Sequence, residues 1–164
     1  VKENHKQIAE EILRMARRDQ GLRSDPEKNR LSIEEIDKAN TARMKEIIEE
    51  IGYPTISKVG EGSSQAAWLL VQHATEDLPF MKECLELMKA NRDDINSENI
   101  AYLEDRVLTL EGQPQLYGTQ FTKGSKGGDW EPLPIADLDG VDERRRAAGL
   151  KRTLASEYEY LKTL

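Results

Sequence analysis

The 164-residue chain carries 24 Lys and Arg against 31 Asp and Glu, a net charge of −7, with 37% hydrophobic and 34% charged residues. That charge opposes phosphate backbones and excludes general nucleic-acid binding, and no run of about 18 apolar residues is present to cross a membrane. The apolar residues fall in regular stripes, which excludes a disordered chain, and the length suits a single domain over residues 1–164. Cys84 is the only cysteine, so no internal disulfide forms. Two histidines and one cysteine are too few for the usual nitrogen–sulfur zinc site, and neither metal nor cofactor is expected. The opening Val1-Lys2-Glu3-Asn4 has no initiator Met and no signal-peptide pattern. A cytoplasmic location is expected, with export behind a removed upstream signal as the alternative.

A first helix is expected from about Glu3 to Leu22, with Ile8, Ile12, Met15 and Ala16 inward and Gly21 and Asp25-Pro26 at its end. Ser32-Ile33-Glu34-Glu35 reads as a capping box opening a second helix, whose stripe is Ile33, Ile36, Met44, Ile47, Ile48 and Ile51. Gly52 and Pro54 stop it, and residues 53–62 read as a loop with a short extended piece at Thr55–Val59. Ser63 or Ser64 is expected to cap a third helix reaching about Glu76, apolar all round in its middle. Pro79 suits the first turn of a fourth, with Met81, Cys84, Leu85 and Met88 inward. Ser97 should cap a fifth, with the stripe Ile100, Leu103, Val107 and Leu110. After Gly112 the pattern changes. Gln115 to Thr122 and Trp130 to Ile135 read as paired strands around a mobile Gly-Lys turn at residues 123–129, and Pro132 and Pro134 confine the second to an edge. Val141 to Leu164 suggests one or two helices broken near Gly149. The expected fold is therefore mainly α: about six helices with one small β-hairpin near residues 115–135.

Helical spacing puts several polar residues where a core would want apolar ones. Ile12, Met15 and Asp19 continue to Arg23, four residues on, so Asp19 and Arg23 can pair inward. Asn40 lies on the stripe between Ile36 and Met44 and needs partners for its amide. His73 closes the buried third helix beside Gln72, with Asp77 one turn on as a carboxylate able to fix its tautomer. Asp105 and Arg106 adjoin on the fifth helix, where an Arg at a pocket rim grips a carboxylate or phosphate. If Gln115 to Gln120 is a strand, Gln115 and Tyr117 share a face with Thr119 and form a hydrogen-bonding wall, with Gln120 on the other face. Each has a plainer reading: a rim salt bridge, a register amide, a satisfied core histidine, a solvated edge strand. Gly60-Glu61-Gly62 lacks the rest of a phosphate loop and reads as a helix cap. Neither serine sits in a nucleophile elbow, and Cys84 lies on an apolar face as a structural thiol.

The segments Asp19-Gln20-x-x-Arg23, Asn40-Thr41, Gly52-Tyr53-Pro54, Ala67 to Ala74 with Gln72-His73-Ala74, Tyr102-Leu103-x-Asp105-Arg106, Gln115-x-Tyr117-Gly118-Thr119-Gln120 and Val141-Asp142-x-Arg144-Arg145 together resemble an uncharacterised bacterial family. It is a domain of unknown function, matched from about residue 10 to residue 150. The resemblance supplies positions and no chemistry. It implies members that are plain cytosolic proteins and others behind export signals. Its polar motifs coincide with the residues found by helical face.

Two functional classes follow. In the first, the chain is an enzyme of hydrolase or proton-transfer type on a polar small molecule. His73 is its general acid/base with Asp105 as a second catalytic group, and Asp19, Gln20, Arg23, Asn40, Gln72, Arg106, Gln115, Tyr117 and Gln120 hold the ligand. In the second, it is a non-catalytic domain that binds a protein partner, its acidic surface meeting a basic one and its polar cluster structural. The oligomeric state has no signature in the sequence.

Overall fold

The computed structural model describes residues 2–124 and 127–164. It is mainly α, with eight helices and one two-stranded antiparallel hairpin among the described residues. Chain contacts divide it into two compact units, Val1–Asn96 and Ser97–Leu164. No helix among the described residues is long and apolar enough to cross a membrane.

The first unit is built from α1 (Glu3–Arg23), α2 (Pro26–Ile51), α3 (Ile56–Val59), α4 (Glu61–Gln72) and α5 (Leu78–Ala90). The inward stripe of α1 is Ile8, Ile12, Ala16 and Asp19, with Met15 half-buried beside it. Ser63 Oγ donates to the Ala9 carbonyl at 3.0 Å while His73 meets Asp19, so α1 and α4 run parallel. On α2, Arg43 reaches Glu11 and Asp37 reaches Arg23, so α2 runs antiparallel to α1. The buried residues of this unit include Ile12, Met44, Ile47, Leu70 and Val71, with Met81 and Met88 on α5. Each such side chain contributes about 1.5–3 kcal/mol by leaving water.

Two helix starts differ from the sequence reading, and at a third the expected cap makes no side-chain bond. The second helix begins at Pro26, six residues before Ser32. Asp25 accepts the Lys28 amide and Pro26 brings a preset φ, so the residues that end α1 also start α2. α4 begins at Glu61 with no side-chain cap, and Ser63 is spent on Ala9. α6 starts directly after Ser97 as expected, but the Ser97 side chain bonds to no first-turn amide, whereas Asp77 accepts the Phe80 amide at the start of α5. Residues 56–59, expected extended, form the single-turn helix α3, joined to α4 by Gly60 at φ +84°.

The second unit contains α6 (Glu98–Leu110), β1 (Phe121–Lys123), β2 (Trp130–Pro132), α7 (Val141–Ala147) and α8 (Leu154–Leu161). On α6, Ile100, Leu103, Asp105 and Val107 are buried, and Leu110, expected inward, is exposed at the helix end. The hairpin pairs Phe121 with Pro132, Thr122 with Glu131 and Lys123 with Trp130. It is shorter than expected: residues 115–120 are not strand, and only an isolated parallel bridge joins Gln115 to Ile135. Of the turn expected at residues 123–129, Ser125 and Lys126 lie outside the described residues.

Candidate functional site

The residues singled out by sequence fall into two groups, one in each unit. Asp19, Gln20, Arg23, Asn40, Gln72 and His73 belong to the first; Asp105, Arg106, Gln115, Tyr117 and Gln120 belong to the second.

In the first unit the centre is Asp19. The α1 stripe turns it inward, and its side chain is wholly buried. Three donors satisfy it: Arg23 Nε at 3.0 Å, Gln20 Nε2 at 3.0 Å and His73 Nδ1 at 2.9 Å. Burial alone would raise this carboxyl. The hydrogen bond and charge of His73, then Arg23 and Gln20, hold it below the ordinary aspartate range. Arg23 spans onward, its Nη2 donating to Asp37 on α2. Asp37 is pushed the other way: burial raises its carboxyl, the Asp19 charge adds to that, and Arg23 pulls against it. Two carboxylates thus share one guanidinium and are driven apart in acidity.

His73 is the C-cap of α4. An ionised Asp19 accepts from Nδ1–H, so whenever the ring is neutral its lone pair lies on Nε2. Nε2 bonds to no described residue, and 16% of the side-chain surface stays exposed. The carboxylate expected to hold the ring, Asp77, caps α5 and pairs with Lys45 instead. Asn40 and Gln72 are both buried, and their amide nitrogens have no partner among the described residues. Asn40 lies one turn beyond Asp37 on α2, and Gln72 adjoins His73. Gln20 is exposed apart from its bond to Asp19. A depression of about 450 Å³ lies at the other end of α4, lined by Ile56, Glu61, Gly62, Ser64, Gln65 and Asn96. Twelve residues of helix, roughly 18 Å, separate that end from His73.

In the second unit Asp105 is wholly buried and accepts from the amides of Leu116 (2.7 Å), Tyr117 (3.1 Å) and Thr119 (3.0 Å) and from the Thr119 hydroxyl (2.9 Å). Burial pushes its carboxyl up, against those four donors. The carbonyls of the same loop are taken from the other side. Arg144 Nε donates to Leu116, and the buried Arg145 donates to Tyr117 at 2.8 Å and to Arg152 at 2.7 Å. Gln115, also buried, closes the loop with its side chain: it donates to the Gln120 and Leu133 carbonyls and accepts the Gln120 amide, each at 2.9 Å. Tyr117 OH donates to Glu104, and Arg106 reaches the Gln120 side chain at 3.5 Å. Residues 115–120 are therefore a loop whose backbone groups are bonded by side chains, which is how a buried stretch outside any sheet avoids stranded polar atoms.

Asp37, Arg144 and Arg145 were given no role from sequence. Asp37 follows Ile33 and Arg145 follows the buried Val141 by four residues, so helical spacing was the available signal for both.

The model of a family of unknown function, DUF6624, matches residues 6–164, and the chain belongs to that family. No curated protein and no solved structure is similar to the chain.

Proposed function

For this member of a family of unknown function, we propose an enzyme of hydrolase or proton-transfer type acting on a polar small molecule, with His73 as the general acid/base. One observation carries the reading: a fully buried carboxylate holds Nδ1 at 2.9 Å while Nε2 bonds to no described residue and the His73 side chain keeps 16% of its surface exposed. A histidine serving only structure in a core has both nitrogens engaged. A carboxylate behind an imidazole also stabilises the imidazolium formed when Nε2 takes a proton. Asp19 is then a positioning residue, and Arg23 positions Asp19 by tying it to Asp37. Asn40 and Gln72 supply donors beside the dyad. In this reading Asp105 acts on the loop and not on substrate, because its oxygens are committed to Leu116, Tyr117 and Thr119. Gln115, Tyr117, Gln120 and Arg106 shape the same loop.

The test joins two measurements. A panel of ester, amide and phosphoester substrates is assayed with wild type and His73→Ala, and both proteins are unfolded in denaturant. The expected result is an activity lost in His73→Ala together with a stability change under about 1 kcal/mol, because Asp19 keeps Arg23 and Gln20. A stability loss of about 3 kcal/mol with no activity in either protein would replace the enzyme by a structural network. The protein-partner reading would then lead.

A further inference from the structure

We propose that Asp19, Asp37 and His73 form a binding site for a first-row divalent transition cation. The three residues come from α1, α2 and the C-cap of α4, and one ligand atom from each lies within 4.8 Å of the other two. Asp19 Oδ2 and His73 Nδ1 are 2.9 Å apart. Two adjacent ligands of an octahedral cation with bonds of about 2.1 Å stand roughly 3.0 Å apart, so this edge already has coordination spacing. Two carboxylates and an imidazole form a donor set suited to manganese, iron(II) or zinc, and it lies outside the nitrogen–sulfur sites that the histidine and cysteine count addressed. Helix packing fixes all three ligands, while Asp37 and His73 keep part of their surface open for water or substrate.

Two further features fit a cation here. Arg23 already stands between the carboxylates as a resident positive charge, and with a neutral imidazole the cluster retains one net negative charge (two carboxylates, one guanidinium). Asn40, 7% exposed and one turn beyond Asp37, has an amide nitrogen without an acceptor among the described residues. A water or hydroxide on the cation would offer it an acceptor. For the cation to enter, the Arg23 head group swings outward, which its partly exposed side chain permits. As the metal–nitrogen bond forms at Nδ1, its proton leaves to solvent and Nε2 takes one up, so the ring remains a neutral imidazole in its other tautomer. This inference goes beyond the acid–base reading and does not rest on it. While a cation holds Nδ1, the imidazole is a ligand and not a base, so cation and proton are alternative occupants.

Full-length protein freed of metal by chelation is titrated with Mn²⁺ and with Zn²⁺ by calorimetry, and the Mn²⁺-dependent broadening of the His73 imidazole NMR signals is followed. One cation per chain is expected, with selective broadening at His73. Asp37→Asn, which leaves the Asp19–His73 bond in place, should weaken binding at least tenfold. Arg23→Gln should tighten it about tenfold by removing the competing charge. No binding at millimolar cation, or binding with His73 unbroadened, overturns the proposal whatever becomes of either variant. A folded Asp37→Asn with unchanged affinity does so as well. None of these results bears on whether metal-free His73 transfers protons, which the substrate panel decides separately.

Discussion

The Asp19 carboxylate and the His73 imidazole meet at 2.9 Å across 54 residues of chain, the same separation that Ala9 and Ser63 bridge one decade earlier. The equal offset means that α1 and α4 advance in step, residue for residue. The dyad is therefore a product of helix register and not of any local motif.

Register of this kind is breakable by insertion. One alanine placed in α1 between Ala9 and Asp19 turns everything beyond it by about 100°, which carries Asp19 off the inward face. We expect Ser63 to keep its bond to Ala9 while His73 loses Asp19, giving altered imidazole NMR shifts and an unfolding free energy lower by several kcal/mol. An unchanged His73 spectrum would show that the helices are not locked in step.

Asp105→Asn is nearly isosteric but exchanges one acceptor oxygen for a donor that faces the amides of Leu116, Tyr117 and Thr119. The expected loss is about 2–4 kcal/mol in denaturant unfolding, since buried donors are left unsatisfied. Hydrogen exchange should accelerate at those three amides before it does so in α6. Stability within about half a kcal/mol of wild type would contradict the loop's dependence on the carboxylate.

The Glu11–Arg43 pair links α1 to α2 through both carboxylate oxygens, at 2.6 and 2.9 Å. The Arg43 hydrogen bond, outweighing burial, holds Glu11 below its ordinary value of 4.5. A depressed carboxyl favours the fold while ionised. Its contribution is thus complete above 4.5 and lost as pH falls through the lower folded value. Glu11→Gln should cost less than about 1 kcal/mol at neutral pH, because the pair is partly exposed. It should also flatten the stability–pH curve below 4.5. Parallel curves for variant and wild type would assign the acid sensitivity elsewhere.

Cys84 is fully buried on α5, and burial, reinforced by Glu83 and Asp77, pushes its thiol up to about 12. The native protein should react with a thiol-specific disulfide reagent only as fast as it opens. Labelling in native buffer at the rate of a free thiol would contradict that burial.

Much of the helical frame could be read directly. Ile8, Ile12, Met44, Ile47 and the inward face of α5 repeat at the helical period because burial alone selects them. The start of α2 was misplaced because Ser32-x-x-Glu35 matches a cap in composition, while Asp25-Pro26 supplies the actual one. The histidine's partner was sought one turn away at Asp77, whereas tertiary packing brought Asp19 from another helix. Periodicity identifies which residues face inward, not which inward residues meet. Residues 115–120 alternate polar groups as a strand would. The cause is a buried carboxylate on one side and two arginines on the other, and no local pattern announces partners 10 to 30 residues distant.

The loop around Asp105 is, in host–guest terms, a carboxylate receptor whose guest is tethered to the host. Tethering gives the guest an effective concentration of millimolar or more, so it is never absent from the folded chain. Removing it by Asp105→Ala leaves the receptor's donors intact and a space the size of a small acid. Formate at high concentration should then raise the variant's unfolding midpoint, and chloride at equal ionic strength should not. Such rescue would mark residues 116–119 as preorganised by Arg144, Arg145 and Gln115. Its failure would mean that Asp105 itself folds the loop.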